Sequence, residues 1–441
     1  MANIKAFCGY RYNPDKINNL GAVMAPLYDT ISDEEQQEYF DADEHNIIRI
    51  SKGLETETDN AENNVYKRAA DYLNKWIEEQ VLIKDEIPTL YLYEQRVKYK
   101  HTTFVNHGIV SLLELSELEK NEVLTCEIPS VTTTTDRYNL LSATNANVDM
   151  ISCMYIDPEK NLSSLITQIA DREPDMEFTT EEKVIETFTI HRIWTITDEK
   201  TIEFICGSLK DKTFIITDGH NRYATALEYK KYCKEHDKNY TQNSGCNYIM
   251  AWCTNAFGNR MVQLPVHRML TTEKKFNEDF FIACAQDNFK VEKIIVDTSV
   301  DDMTETMKKQ ISTVRMDTKF GVYCGGNYFY RLTLPDKKIM KDFFPDKSTA
   351  YGNLDVAVFN KLILEDIFNI YEEDYDKYIR YTKRASTGVM KANNNEISCL
   401  FILNPVKAEQ IREVALSGDV MPERSIYIFP KPATGVIINK F

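Results

Sequence analysis

A mixed α/β (α+β) fold follows from three features of this 441-residue chain. Apolar runs of strand length alternate with segments of helical period from end to end. The runs stop at turn dipeptides such as Asn13-Pro14, Asp157-Pro158 and Gly325-Gly326. Hydrophobic residues at 43% and charged residues at 27% are globular values, and a chain of this size can bury a large core.

Each element has its own reason. "NIKAFCGYRYNP" reads as a strand and "APLYDTIS" as a second extended piece. "SDEEQQEYF" starts a helix, with Ser32 as N-cap and Glu35 completing a capping box. "NIIRISKG" reads as a strand ended by Gly53. Val65, Ala69, Leu73 and Trp76 recur at helical spacing. "TLYLYEQRVKY" and "HTTFVNHGIVSLLEL" are aromatic and β-branched, as paired strands are. A helix starts near Asp136, and "DMISCMYID" is a buried-type strand. "LSSLITQIADREP" and "DEKTIEFICGSL" are helices, while "IHRIWTIT" and "KTFIITD" are strands. "NYIMAWCTN" and "VQLPVHRML" read as strands, and "GVYCGGNYFYRLTL" as a hairpin. Helices are expected over "LDVAVFNKLILEDIF" and "KAEQIREVAL", strands over "ISCLFILNP", "SIYIFPK" and "GVIIN". The chain divides into segments 1–120, 121–275 and 276–441, which can also form one body.

Charge narrows the function. Lys plus Arg total 52 and Asp plus Glu 68, a net of −16 that repels phosphate backbones and makes nucleic acid an unlikely partner. None of the ten cysteines forms a C-x-x-C pair, which points to reduced thiols. The N-terminus lacks a signal-peptide apolar core and no run spans a membrane, so a cytoplasmic protein without a membrane partner is expected.

The informative stretch is Ile216 to Tyr229, "ITDGHNRYATALEY". A strand that ends in Asp-Gly and opens a helix leaves backbone N–H groups unpaired at the helix start, where the macrodipole adds positive charge. Gly219 permits close approach or positive φ. Arg222 offers a planar fork for phosphate oxygens, and His220 can donate to an anion or transfer a proton. Asp218 can ligate Mg²⁺. These are the parts of a metal–phosphate site at a helix N-terminus. The plainer reading makes Asp218 a cap and His220 and Arg222 surface residues. There is no Walker A loop.

"ITDGHNRYATAL" resembles the D-G-H-H-R-Y signature of domain of unknown function 1015, and the likeness runs along nearly the whole chain. "IKAFCGYRYNPDKINNLGAVMAPLYDTIS" is similar to that family's opening, "DRYNLLSATNANVDMISCMYID" to its D-R-x-x-L-L-x-A-T segment, and "LPVHRML" to L-P-x-H-R-L-L. "FILNPVKAEQIREVALSGDVMPERSIYIFPK" is similar to its M-P-x-K-S-T-Y-F-Y-P-K close. The departures are Cys126-Glu127 for His-Glu, His220-Asn221 for the doubled His, Leu27 within A-P-P-Y-D, and Arg424-Ser425-Ile426 for K-S-T. The resemblance implies a ParB/sulfiredoxin-like nucleotide-binding core elaborated by N- and C-terminal α/β segments. It also implies kinship with free serine kinases, in which an upstream Glu activates the substrate hydroxyl.

The expected site follows from both readings. Glu127 is the general base, with Asp29 as rival base or second metal ligand, and His220 takes part in proton transfer. Gly219, His220, Asn221, Arg222 and Arg268 bind the nucleotide, ATP or ADP, and Asp218 holds Mg²⁺. Plainer readings stand beside these: Glu127 as a surface carboxylate, Asp29 as a turn residue, Asp136 as a cap, His267-Arg268 as a surface pair. His191 and Trp194 read as core, Arg424 and Lys431 as exposed charge, and Cys126 as an inert thiol. The leading expectation is phosphate transfer to a small hydroxyl-bearing metabolite. A non-catalytic nucleotide-binding regulator or scaffold is the alternative, and a ParB-like DNA-associated protein is disfavoured by charge.

Overall fold

The computed structural model describes residues 3–99, 101–128, 131–258, 261–274, 276–296, 299–312 and 317–441, with the backbone alone at 119 and 131–133. It is mixed α/β and forms two compact units, one of Met1–Val262 with Pro430–Phe441 and one of Gln263–Phe429. This grouping differs from a division at 120 and 275. Strands on both sides of residue 120 enter one sheet, so no boundary falls there.

That sheet has nine strands. Its order is Val123–Thr125, Phe214–Asp218, Ile151–Tyr155, Tyr248–Asn255, Thr102–Glu114, Leu90–Tyr99, Thr187–Ile196, Met176–Glu182, and Ile4–Lys5 also pairs with Thr102–Glu114. Alternation divides its residues between two cores. Tyr91, Tyr93 and Ile193 face one, with Ala69, Leu73 and Trp76 of the Val65–Glu78 helix. Leu90, Leu92 and Trp194 face the other, with Ile169, Ile205, Leu209 and Tyr223 from three helices. The sheet is therefore the middle layer of three, which explains strands apolar on both faces.

The C-terminal segment closes the first unit. Thr434 N donates to Ala25 O at 2.8 Å, Tyr10 N to Ile438 O at 2.8 Å, and Asn439–Lys440 pairs with Ala146–Asn147. Burial of Val436, Ile437 and Ile438 drives this docking.

The second unit carries a six-stranded antiparallel sheet in the order Lys290–Ile295, Tyr328–Leu334, Thr318–Tyr323, Ile397–Ile402, His267–Thr271, Ile379–Thr382. Phe281, Phe320, Phe359 and Phe401 fill one of its cores.

Three readings are corrected. "NIIRISKG" holds a helical turn, Ile48–Ser51, whose start is fixed by Asn46 Oδ1 accepting Ile48 N–H at 2.9 Å. Asp136 lies inside the Val131–Thr144 helix and caps nothing; it accepts from Tyr66 OH at 2.9 Å. Met176–Glu182 is an edge strand that the sequence pattern does not announce, since only Met176 and Phe178 supply apolar alternation among polar and charged neighbours.

Candidate functional site

The site grows from the junction of the Phe214–Asp218 strand and the His220–His236 helix. Gly219 is the N-cap, at φ 90°, in the left-handed region. A Cβ there would meet Ile151 Cγ2 at 2.7 Å, so conformation and space both require glycine. Tyr223 anchors the first turn, donating to Ser116 O at 2.7 Å and accepting from Ser116 N at 3.0 Å.

Asp218 is the centre of the cluster. Its Oδ2 meets Arg222 Nη2 at 2.6 Å and its Oδ1 meets Lys431 Nζ at 2.5 Å. Burial opposes its ionisation, but Lys431 and then Arg222 outweigh that and hold the carboxyl below its usual range. Arg222 Nη1 donates to Met150 O at 2.7 Å, while its buried Nε has no hydrogen-bond partner. Asp29 Oδ2 lies 3.6 Å from Lys431 Nζ, so two carboxylates share that lysine.

Lys431 is fixed from its backbone. Gln95 Nε2 donates to Lys431 O at 2.9 Å, Ala433 N to Tyr93 OH at 3.3 Å, and Thr434 Oγ1 to Asp149 Oδ1 at 2.5 Å. Its reading as exposed charge is corrected: the side chain is 15% exposed. The signal for it was present in the P-K that closes the similar segment, read there without a partner.

His220 sits in the first turn and donates from Nε2 to Ile216 O at 3.1 Å. A carbonyl can only accept, so Nε2 carries the proton and Nδ1 is left as the acceptor. Burial lowers its pKa to about 4, against the pull of Asp218, and the ring is neutral at pH 7. The Nε2 donor is thus taken up by a carbonyl of the preceding strand.

A cavity of about 460 Å³ opens nearby in the same unit, lined by Tyr28, Ser51, Lys52, Asp136 and Arg137 among others. Arg137 stacks over the Tyr28 ring at 3.8 Å, donates to Ser51 O at 2.9 Å and pairs with Asp136 at 2.5 Å. Burial, opposed by Arg222 and Arg137, raises the Tyr28 hydroxyl to about 12, so it stays protonated. Ser51 Oγ is buried without a hydrogen-bond partner. A second cavity of about 40 Å³ shares Arg137 and Leu140 with the first and adds Asp149 and Arg222.

The donor set does not fit a resident Mg²⁺. Both Asp218 oxygens already face cations, and among the described residues no group of three or more His, Cys, Asp or Glu side chains is placed to hold a metal.

The sequence matches the family model "Protein of unknown function (DUF1015)" over residues 4–357. The chain belongs to this family. No curated protein matches it. Among solved structures it is similar to a conserved hypothetical protein from Pyrococcus furiosus, at 10% identity and TM-score 0.33, covering 74% of this chain and 93% of that one. Free serine kinase in complex with AMP is similar at 10% identity and TM-score 0.33, covering 72% and 86%. SbnI with C-terminal truncation from Staphylococcus aureus is similar at 8% identity and TM-score 0.33, covering 74% and 85%.

In this family member Asp29, Asp218, Gly219, His220 and Arg222 converge, and Asn221 shares their helical turn. Glu127 follows the Val123–Thr125 strand, which runs parallel to Phe214–Asp218 with Thr125 opposite Ile216. The two strands therefore end on the same side of the sheet, and Glu127 lies in the bend that follows the first of them. Arg268 belongs to the second unit, is 3% exposed, and donates to Val266 O and to Arg424 O at 3.2 Å. It is not a surface residue, and its charge is used within that unit. His267 is buried and accepts Leu403 N–H at 3.2 Å. Cys126 is fully buried and burial raises its thiol well above the usual range, which suits an inert thiol. His191 is core as expected, between Tyr93 OH at 2.8 Å and Thr180 Oγ1 at 2.7 Å. No helix among the described residues is long and apolar enough to cross a membrane.

Proposed function

We propose that the first unit binds a nucleotide, ATP or ADP, at the start of the His220–His236 helix and transfers its terminal phosphate to a small hydroxyl-bearing metabolite. The observation that carries this reading is a pair of buried donors without partners, Arg222 Nε and Ser51 Oγ, lining two cavities that share Arg137. Buried donors left unmade cost free energy, and a ligand that supplies acceptors recovers it.

In this reading Arg222 and Lys431 receive the phosphates together with the first-turn N–H groups. The acceptor occupies the larger cavity. Its hydroxyl oxygen attacks the terminal phosphorus, the bridging P–O bond breaks, and the hydroxyl proton passes to a carboxylate. Of the two carboxylates expected as base, Asp29 has the better support: it contacts Lys431, and its neighbour Tyr28 lines the acceptor cavity. Glu127, in the bend after the neighbouring strand, is the alternative. Divalent metal, where required, would arrive on the nucleotide.

Calorimetric titration with ATP and ADP, followed by turnover assays over pooled amino acids and sugars, tests this. Binding without turnover on any acceptor leaves the regulatory reading. No heat with either nucleotide at millimolar concentration sinks both. With an active chain, Asp29→Asn should keep nucleotide affinity and lose roughly 10²–10⁴-fold in rate, the usual worth of a positioned base. If Asp29→Asn retains full rate and Glu127→Gln loses it, Glu127 is the base.

A further inference from the structure

We propose that the second unit holds a separate binding site for a small anion with an apolar body. It is a cavity of about 740 Å³ formed wholly by residues of 317–353. Such a volume is ordinary for a small-molecule site, and so is its chemistry of an apolar wall with a few polar groups. Met340 and Phe344 supply apolar wall, and Lys337, Lys338, Lys341 and Lys347 supply charge. The lysines come together because residues 337–343 form two tight turns in succession, the 3₁₀ turn Lys337–Ile339 and the helical turn Met340–Phe343.

The four lysines are not equivalent. Lys337 Nζ is held by Asp355 at 3.0 Å and Asn353 O at 2.8 Å, and Lys347 pairs with Asp419 at 3.4 Å. These two are tethered and shape the wall. Lys338 and Lys341, three residues apart, make no ion pair with any described residue. The carboxylate nearest in sequence, Asp336, is turned to its own backbone and accepts Lys338 N–H at 2.9 Å. Asp317, paired with Lys319 at 3.0 Å, and Asp336 line the cavity as well, so the lining presents two cations with spare donors beside apolar surface and two engaged carboxylates, in a chain whose net charge is −16. A free phosphate would use the lysines and leave Phe344 and Met340 idle. A neutral apolar molecule would use the wall and leave the lysines idle. An aryl or acyl phosphate, sulfonate or carboxylate uses both.

Pyridoxal 5′-phosphate tests the site directly. Its aldehyde carbon condenses with a lysine Nζ, water leaves, and hydride from added borohydride reduces the imine to a stable amine that peptide mapping locates. Adducts should form on Lys338 or Lys341 several-fold above the other exposed lysines. Phenyl phosphate should protect them, inorganic phosphate should protect less, and pyridoxal without its phosphate should show no preference. Even labelling over the surface, or no protection by phenyl phosphate, overturns the proposal. Equal protection by inorganic phosphate overturns the apolar half of it. Adducts at Lys431 report on the first unit and are separated by the map.

Discussion

The two lysine-bearing sites of this chain treat charge in opposite ways. In the first unit Arg222 and Lys431 are 10% and 15% exposed and share one carboxylate, Asp218. In the second, Lys338 and Lys341 are exposed and have no ion pair among the described residues. Buried charge must be paired before it can serve, whereas exposed charge can wait for its ligand. If the two proposed sites bind as argued, binding and folding are coupled at the first and separable at the second.

The sharpest way to break this comparison is Asp218→Asn. It leaves two buried cations facing each other, and removal of one partner from a buried pair costs about 3–5 kcal/mol. The chain has three tryptophans, Trp76, Trp194 and Trp252, all in the first unit, so tryptophan fluorescence during urea unfolding reports that unit alone. A variant as stable as the parent would mean that Asp218 is not what holds the cations.

Arg222→Ala addresses ligand more than fold. A charge-assisted contact to phosphate lost with it should weaken nucleotide binding by ~1.5–3 kcal/mol. Calorimetric affinity unchanged in a folded variant would move the phosphate site elsewhere.

What was legible in sequence follows the same division. Gly219 and Arg222 could be read because a strand–turn–helix junction fixes where its residues must lie. Asp29 could be read as a candidate but not placed, since its contact with Lys431 spans most of the chain. Lys431 depends on a C-terminal segment docking beside Tyr93 and Gln95, and no local pattern encodes that return. "NIIRISKG" misled because Ile47, Ile48 and Ile50 suit a buried strand or a buried turn equally, and the Asn46 side chain decides between them. The cavity of the second unit has no sequence signal because turns of three and four residues are too short to carry a period.

A smaller effect sharpens the contrast through pH. His191 is fully buried and burial lowers its pKa to about 3, and His220 is lowered to about 4. Each is neutral when folded but protonates near 6.5 when unfolded, so each contributes stability that is whole above 6.5 and lost as pH falls below it. Glu182 runs the other way: burial raises it to about 7, so it binds a proton on folding and adds stability as pH falls from 7 towards 4.5. Two losses and one gain leave a net of one proton, or about 1.4 kcal/mol per pH unit between 6.5 and 4.5. Tryptophan-monitored stability should fall with that slope. His191→Gln should flatten it and Glu182→Gln should double it. A flat parent profile would mean that one of the two buried histidines is protonated in the fold, and a stability that rises as pH falls would mean that both are.

The smallest effect is expected at Lys338 and Lys341, and its smallness is the point. With no ion pair to lose, and stems already in water, their replacement removes nothing that folding built. The variant Lys338→Gln/Lys341→Gln should melt with the parent in scanning calorimetry, which records both units. Calorimetric binding of phenyl phosphate should nonetheless be lost. Asp218→Asn should not produce that pair of results, because at the first site the charge proposed to bind is also charge that is buried and paired. If the double variant instead melts well below the parent, the lysines hold the 337–343 turns together, and the second site is built like the first.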